Sequence, residues 1–277
     1  MYKIKLALGT NAAFGISEEE QIKLFNKIGF DGFFTSWNAN IKNYKKIADE
    51  LGMIYQSVHA PFKNAAKMWE KGVEAENARD ELLSCVSDCA DAGIGLIIVH
   101  PYIGFGESAG PTEHGLENFG AVVSAAKKSN IRIAFENVEG EEYLEALMKE
   151  FDACDNVGFC WDSGHELCYN RGKDMLALYG KKLIATHIND NLGVSDFGGR
   201  IYWTDDLHLL PFDGIRDWKD SAHKLSLLGF DKMITFELNK TSKPNRHDND
   251  KYSVLPIEQY IAECYARACR FASMIIK

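Results

Sequence analysis

The sequence predicts a closed (β/α)₈ barrel that forms a single domain over residues 1–277. Eight short apolar runs alternate with segments of helical periodicity, and no linker or change in composition interrupts the series. Strands that alternate with helices form parallel sheets, and eight such units in this length are typical of a barrel. An open doubly wound sheet is the alternative. However, residues 9–15 (GTNAAFG) do not match the glycine-rich dinucleotide fingerprint that often follows its first strand.

Apolar runs and helix-boundary residues place the individual elements. Ser17 and Glu20 form a capping-box pattern at the start of the first helix, and Gly29 marks its end. The expected strands are 4–8, 32–35, 55–59, 96–99, 131–135, 157–161, 183–188 and 233–236. The expected helices are 17–28, 40–51, 73–92, 115–129, 141–151, 174–179, 215–228 and 257–275. The Ser163-Gly164 pair predicts a turn after the sixth strand.

Composition limits the classes of partner. Hydrophobic residues make up 46% of the chain, which allows a large core, and the net charge is −9. An acidic chain argues against broad binding to nucleic acid or to anionic membranes, and no apolar run approaches the length of a membrane span. Seven cysteines without a Cys-x-x-Cys pair indicate reduced thiols. With no signal peptide evident, we expect a cytoplasmic protein.

Six strands end in a metal-ligand or acid–base side chain, and we expect them to converge because parallel barrel strands end at one face. Taken singly, such residues have structural explanations: His59 and His100 could bond to the backbone, and Asp162 could cap the next helix. Several carboxylates at one barrel mouth repel one another, and a cation removes that cost. Oxygen and nitrogen donors of this kind suit Mn²⁺, Mg²⁺, Co²⁺ or Zn²⁺. The six residues are His59, His100, Glu136, Asp162, His187 and Glu237.

A long polar loop carries a second group of ligand types. Asp206 and His208 are two residues apart, so in an extended segment both face one side, and together with His165 they could bind a further metal. Contact with substrate and a solvated loop are the alternatives. Arg216 is a candidate contact for anions or hydroxyl groups, and Trp161 could form part of a sugar-binding floor or simply pack.

The ordered set of these motifs resembles the xylose isomerase-like TIM-barrel superfamily. That superfamily includes sugar (phosphate) isomerases and epimerases, inosose dehydratases and type IV AP endonucleases. The resemblance covers nearly the whole chain. It rests on His59-Ala60-Pro61, Val99-His100-Pro101, Phe135-Glu136-Asn137, Gly158 to His165 (GFCWDSGH), Thr186 to Asp190 (THIND), Asp206-Leu207-His208 and Glu237.

The isomerase and epimerase branch implies one divalent ion bound by Glu136, Asp162, His187 and Glu237. In that resemblance, one glutamate removes a proton next to a carbonyl, the other returns a proton, and the intermediate is a metal-bound enediolate. His165 would contact a substrate hydroxyl. The expected partner is a small sugar or sugar phosphate. Because relatives often dimerise, the resemblance also allows a homo-oligomer. An inosose-dehydratase-like lyase would use the same site to expel water.

The endonuclease branch implies up to three Zn²⁺ ions and hydrolysis of abasic DNA. All nine ligand types of that branch are present in this sequence. The acidic charge and the isomerase-like character of residues 161–165 and 206–218 favour the isomerase alternative. The implied zinc ligands are His59, His100, Glu136, Asp162, His165, His187, Asp206, His208 and Glu237.

Overall fold

The chain folds as a (β/α)₈ TIM barrel, as the sequence predicts. A computed structural model describes residues 4–106, 108–196 and 198–275. The strands are β1 (Leu6–Gly9), β2 (Gly32–Ser36), β3 (Ile54–His59), β4 (Leu96–Val99), β5 (Arg132–Glu136), β6 (Val157–Asp162), β7 (Leu183–His187) and β8 (Ile234–Phe236). The helices are α1 (Glu18–Ile28), α2 (Ile41–Leu51), α3 (Val73–Ala92), α4 (Glu113–Lys128), α5 (Glu141–Glu150), α6 (Ser163–Cys168), α7 (Met175–Tyr179), α8 (Trp218–Leu227), α9 (Asp250–Ser253) and α10 (Ile257–Ala272).

The sheet runs in the order β7-β6-β5-β4-β3-β2-β1-β8, with every pair parallel. A parallel bridge between Ile188 and Phe236 joins its two ends. There the Ile188 amide donates to the Thr235 carbonyl at 2.8 Å, and the Glu237 amide donates to the Ile188 carbonyl at 3.2 Å. The barrel therefore closes at its C-terminal rim, and this closure places the ends of β7 and β8 side by side.

Strand alternation explains how the barrel interior leads up to the strand-end ligands. Side chains two residues apart on a strand point to the same face. Ala134, Cys160 and Ala185 belong to a small buried cluster that is separate from the main core. The ligand types Glu136, Asp162 and His187 follow two residues later on the same strands. Small residues in the layer below thus leave room for the polar side chains above them.

The segment after β6 differs from its prediction. Ser163 and Gly164 do not form a turn between a strand and a loop; they begin α6 directly. The Asp162 carboxylate is the N-cap of this helix and accepts a hydrogen bond from the His165 amide at 2.6 Å. The cap satisfies an amide that the first helical turn leaves without a partner. The turn prediction was wrong because Asp162 caps a helix that begins at Ser163, and the Ser-Gly pair therefore lies in the first helical turn.

Two further properties bear on the expectations from composition. Within the described ranges, no helix combines the length and apolar character needed to cross a membrane. All seven cysteines are free, and five of them are buried.

Candidate metal centre

Four strand-end side chains meet at the centre of the barrel mouth. Each of Glu136, Asp162, His187 and Glu237 offers one ligand atom, and these four atoms all lie within 4.8 Å of one another. His187 Nδ1 lies 3.0 Å from Glu136 Oε1 and 3.0 Å from Glu237 Oε2. Glu136, Asp162 and His187 are fully buried, whereas 25% of the Glu237 side chain is exposed. The convergence predicted for these residues is present.

Neighbouring polar and aromatic groups fix the orientation of these four side chains. Asn189 Nδ2 donates to Asp162 Oδ2 at 2.9 Å. The Phe34 ring stacks on the His187 imidazole, with ring centroids 4.6 Å apart and planes 16° from parallel. Residues of this kind hold the metal ligands in place without touching the metal. Their removal typically lowers metal affinity by about 10- to 100-fold.

Gly164 allows Asn189 to reach Asp162, which leads to a testable prediction. A Cβ atom on Gly164 would lie 1.7 Å from Asn189 Oδ1, so Gly164→Ala must displace this amide. We expect the variant to bind Mn²⁺ about 10- to 100-fold more weakly, measured by calorimetric titration. Gly95→Ala is the matched control, because a Cβ there would meet no heavy atom within 4 Å. Equal metal affinity in the two variants would contradict the role given to Asn189.

A second group of ligand types shares Glu136 with the first. His59 Nε2 and His100 Nε2 lie 3.1 Å apart, and they lie 3.5 Å and 3.3 Å from Glu136 Oε2. His59 Nδ1 makes a 2.8 Å hydrogen bond to the Ala60 carbonyl, which leaves Nε2 to face the site. His59 therefore makes the expected bond to the backbone and also belongs to the group with His100 and Glu136.

A third group combines α6 with the long loop. His165, Asp206 and His208 place one ligand atom each within 4.8 Å of one another. Asp206 Oδ1 lies 3.5 Å from His165 Nε2, and Asp206 Oδ2 lies 2.8 Å from His208 Nε2. Asp206 and His208 are each only 9% exposed, which contradicts the solvated-loop alternative. The backbone of His208 has a φ of +48°, a left-handed conformation that costs a non-glycine residue roughly 1–2 kcal/mol.

These residues fit a divalent cation. Glu136 Oε2 and Asp206 Oδ1 are buried oxygen atoms without a hydrogen-bond partner among the described residues. A buried polar atom that lacks a partner costs about 1–3 kcal/mol, and a metal ion bound by the group to which each oxygen belongs would satisfy it. Carboxylate oxygens with imidazole nitrogens are the donor set that Mn²⁺, Co²⁺ and Zn²⁺ accept.

Burial and charge shift the pKa values of the central group in opposite directions. Burial raises the pKa of Asp162 to about 6. Burial opposes ionisation of Glu237 as well, but the charges of His187 and His208 lower its pKa to about 2. Burial disfavours the charged form of His187, yet Glu136 and Glu237 hold its pKa well above the usual range. When no metal is bound, the proton on His187 therefore compensates part of the negative charge, and a proton on Asp162 does so below about pH 6.

Metal binding is accordingly expected to compete with protons. A ligand must lose its proton before it coordinates, so the affinity for Mn²⁺ should rise as pH increases through the pKa of Asp162, about 6. The raised pKa of His187 extends this rise to higher pH. Calorimetric titration in buffers of different ionisation enthalpy would measure both the affinity and the protons released. An affinity that does not change across this pH interval would contradict the assignment.

A cavity of about 330 Å³ opens above the three groups. Glu139 and Lys243 are polar members of its wall that were absent from the predicted site. Glu139 is 5% exposed, accepts a 2.9 Å hydrogen bond from the Gly104 amide, and has a pKa that burial raises. The lining residues are His59, Phe62, His100, Ile103, Phe105, Glu139, His165, Tyr169, Trp203, Asp206, His208, Glu237 and Lys243.

Two predicted substrate contacts lie elsewhere. Trp161 is 1% exposed, and its Nε1 donates to Glu166 Oε2 at 2.8 Å. The Arg216 guanidinium lies 5.2 Å from the Trp161 ring centroid, donates to the Ser163 carbonyl, and lies 3.0 Å from Glu166 Oε1. Neither residue lines the cavity, and both instead support the segment that follows β6. Their polar atoms bond to other residues inside the protein, and the sequence pattern gave no sign of these contacts.

Known proteins share this architecture. A protein of Sinorhizobium fredii (strain NBRC 101917 / NGR234) named "Uncharacterized protein y4fM" is 32% identical over 164 residues. The match covers 57% of this chain and 46% of that protein, so the chain spans about half the length of this curated relative. A solved structure of the IolI protein with a bound zinc atom has a TM-score of 0.76 at 17% identity, covering 99% of this chain and 100% of the other.

A structure of L-ribulose 3-epimerase is also similar. It has a TM-score of 0.72 at 14% identity and covers 98% of this chain and 95% of the epimerase. At these identities the likeness concerns the fold. The sequence pattern of the xylose isomerase-like TIM barrel matches residues 22–255, which is most of the chain. The protein therefore belongs to the xylose isomerase-like TIM-barrel family.

Proposed function

We propose that this protein is a divalent-metal-dependent isomerase or epimerase of sugars or sugar phosphates. The observation that carries the proposal is the pair of glutamates, Glu136 and Glu237, each 3.0 Å from His187 Nδ1. With Asp162 and His187, the two glutamates form a four-residue site in which both glutamate carboxylates can serve as acid–base groups. The similarity to L-ribulose 3-epimerase supports an epimerase-type reaction, and the similarity to the zinc-bound IolI protein supports a bound divalent metal.

The two glutamates differ in access. Glu237 lines the cavity, whereas Glu136 is fully buried beneath it. A divalent ion bound between them would supply Lewis-acid polarisation of a substrate carbonyl. In the proposed reaction, a carboxylate oxygen of one glutamate takes the proton from the carbon next to the carbonyl. In an epimerase, the other glutamate, in its protonated form, donates its proton to the opposite face of the same carbon. In an isomerase, a proton is delivered to the former carbonyl carbon while the proton of the neighbouring hydroxyl passes to the former carbonyl oxygen. His165 lies at the cavity wall, where it can contact a substrate hydroxyl.

Solvent deuterium exchange tests the proposal. The Mn²⁺- or Co²⁺-loaded protein would be incubated in D₂O with ketoses, aldoses, inososes and their phosphates, with chelated protein as the control. We expect one member to gain deuterium next to its carbonyl and to convert to an isomer. Release of water without isomer formation would indicate the lyase alternative that uses the same residues. Absence of exchange across the whole panel would count strongly against an isomerase.

A second candidate function is metal-dependent hydrolysis of a phosphodiester, such as abasic DNA. It is favoured by one specific observation. Two further ligand groups adjoin the first, and one of them shares Glu136 with it. Such an arrangement could hold up to three Zn²⁺ ions, although the net charge of −9 opposes binding to a phosphate backbone.

Metal content and cleavage separate the two functions. About three zinc ions per chain, one of them lost in Asp206→Asn, together with nicking of an abasic duplex would favour hydrolysis. One ion per chain that is retained in Asp206→Asn, together with proton exchange in sugars, would favour the isomerase.

A further inference from the structure

We propose that Lys243 binds an anionic group of the substrate, so that the natural substrate is a phosphorylated or carboxylated sugar and not a neutral one. This inference rests on the proposed isomerase function and names the substrate class of the same cavity. It concerns a residue of the loop between β8 and α9 that lies away from the four central ligands.

The Lys243 side chain forms part of the cavity wall. It is only 18% exposed. Its Nζ lies 5.5 Å from the Trp203 ring centroid, within the range of a cation–π contact. The Trp203 ring is 51% exposed and also lines the cavity, so the ammonium group is held beside an open aromatic surface.

Lys240 and Arg246, the neighbouring cations of this loop, donate short hydrogen bonds to internal partners, whereas the contacts of Lys243 are longer. Lys240 Nζ donates to the Ser253 carbonyl at 2.6 Å. Arg246 lies 3.3 Å from Asp205 and 3.1 Å from Asp248. Within the described ranges, the ion pair of Lys243 is with Asp206 Oδ2, at 3.6 Å. That separation exceeds hydrogen-bond length, so the ammonium donors remain available to a ligand.

The charge of the cavity wall explains why an anionic substrate would need this lysine. Glu139, Asp206 and Glu237 all line the cavity and would repel a phosphate or carboxylate. Among the lining residues, Lys243 supplies the one lysine or arginine charge that offsets them. A neutral sugar could accept a hydrogen bond from this ammonium group, but it would gain no charge–charge attraction from it. Lysine binds phosphate and carboxylate as a point charge, which matches a single group reaching from the wall.

Equilibrium binding of unreactive sugar analogues tests the inference. Ribitol, ribitol phosphate and ribonate form one matched set, and glucitol, glucitol phosphate and gluconate form another. None has the aldehyde or ketone carbonyl that proton transfer requires, so binding is measured without turnover. We expect a phosphate or carboxylate member to bind the metal-loaded protein about 10- to 100-fold more tightly than its neutral polyol. Lys243→Met should remove this preference, and Lys243→Arg should keep most of it.

Lys42→Met is the control for loss of one positive charge, because Lys42 pairs with Asp91 on the exposed surface between α2 and α3. This variant should keep the full preference. Equal binding of neutral and anionic members, no binding of any anionic member, or an unchanged preference in Lys243→Met would overturn the inference. A preference that Lys243→Met removes, in a protein that exchanges no deuterium, would reject the isomerase while retaining the anion site. Deuterium exchange that occurs with neutral sugars alone would retain the isomerase function and reject the anion site.

Discussion

Glu136→Gln is expected to abolish both tight metal binding and turnover. The Glu136 carboxylate is fully buried, faces His187 Nδ1 at 3.0 Å, and is shared with the His59 and His100 group. Glutamine keeps the shape but removes the charge that attracts a cation, and it cannot accept or return a proton as a carboxylate does. We expect turnover to fall by at least about 10⁴-fold, because the ligand and the acid–base group are lost together.

Elemental analysis and the deuterium-exchange assay measure this prediction, and circular dichroism checks that the variant is folded. Glu258→Gln is the matched control, because Glu258 is an exposed residue on α10. The control should retain full metal content and activity. A folded Glu136→Gln protein with unchanged activity would support a catalytically silent binding barrel and contradict the proposed function.

Glu237→Gln is expected to separate proton transfer from metal binding. Glu237 is the central ligand that lines the cavity, and 25% of its side chain is exposed. Three central ligands remain in this variant, so it should still bind a metal ion, with reduced affinity. Loss of one acid–base group should lower turnover by about 10²- to 10⁴-fold even when the metal concentration saturates the site.

Measurements at saturating Mn²⁺ decide whether Glu237 acts on the substrate or only on the metal. If excess Mn²⁺ restores full turnover, Glu237 is a ligand without an acid–base role. If turnover stays low while metal occupancy is complete, the acid–base assignment is supported. Isotope exchange that survives while isomer formation is lost would show that the other glutamate removes the proton.

Much of the barrel and of its centre could be predicted because the relevant signals are local. Apolar runs of strand length mark the strands, and parallel strands must end at a common rim. A polar residue at the end of such a run, as His187 is at the end of β7, is therefore placed at the rim by topology alone. The same reasoning grouped residues more than a hundred positions apart, such as Glu136 and Glu237.

The parts that could not be predicted depend on tertiary contacts. The sequence showed Trp161 at a strand end, but only the fold pairs it with Glu166 and Arg216 in the interior. Glu139 comes from a turn after β5, and Lys243 from the loop after β8. Neither position has a periodic pattern that would indicate which way the side chain points. Glu139 is held by the Gly104 amide of the loop after β4, and Lys243 lies beside Trp203 of the long loop.

The anomalous difference map of a crystal soaked in Mn²⁺ would show whether the four central residues bind a divalent ion. It locates the ion without any assumption about the substrate. We expect a peak bound by the carboxylates of Glu136, Asp162 and Glu237 and by Nδ1 of His187. A fully soaked crystal with no peak among these four residues, or with manganese bound only at other positions, would contradict this expectation.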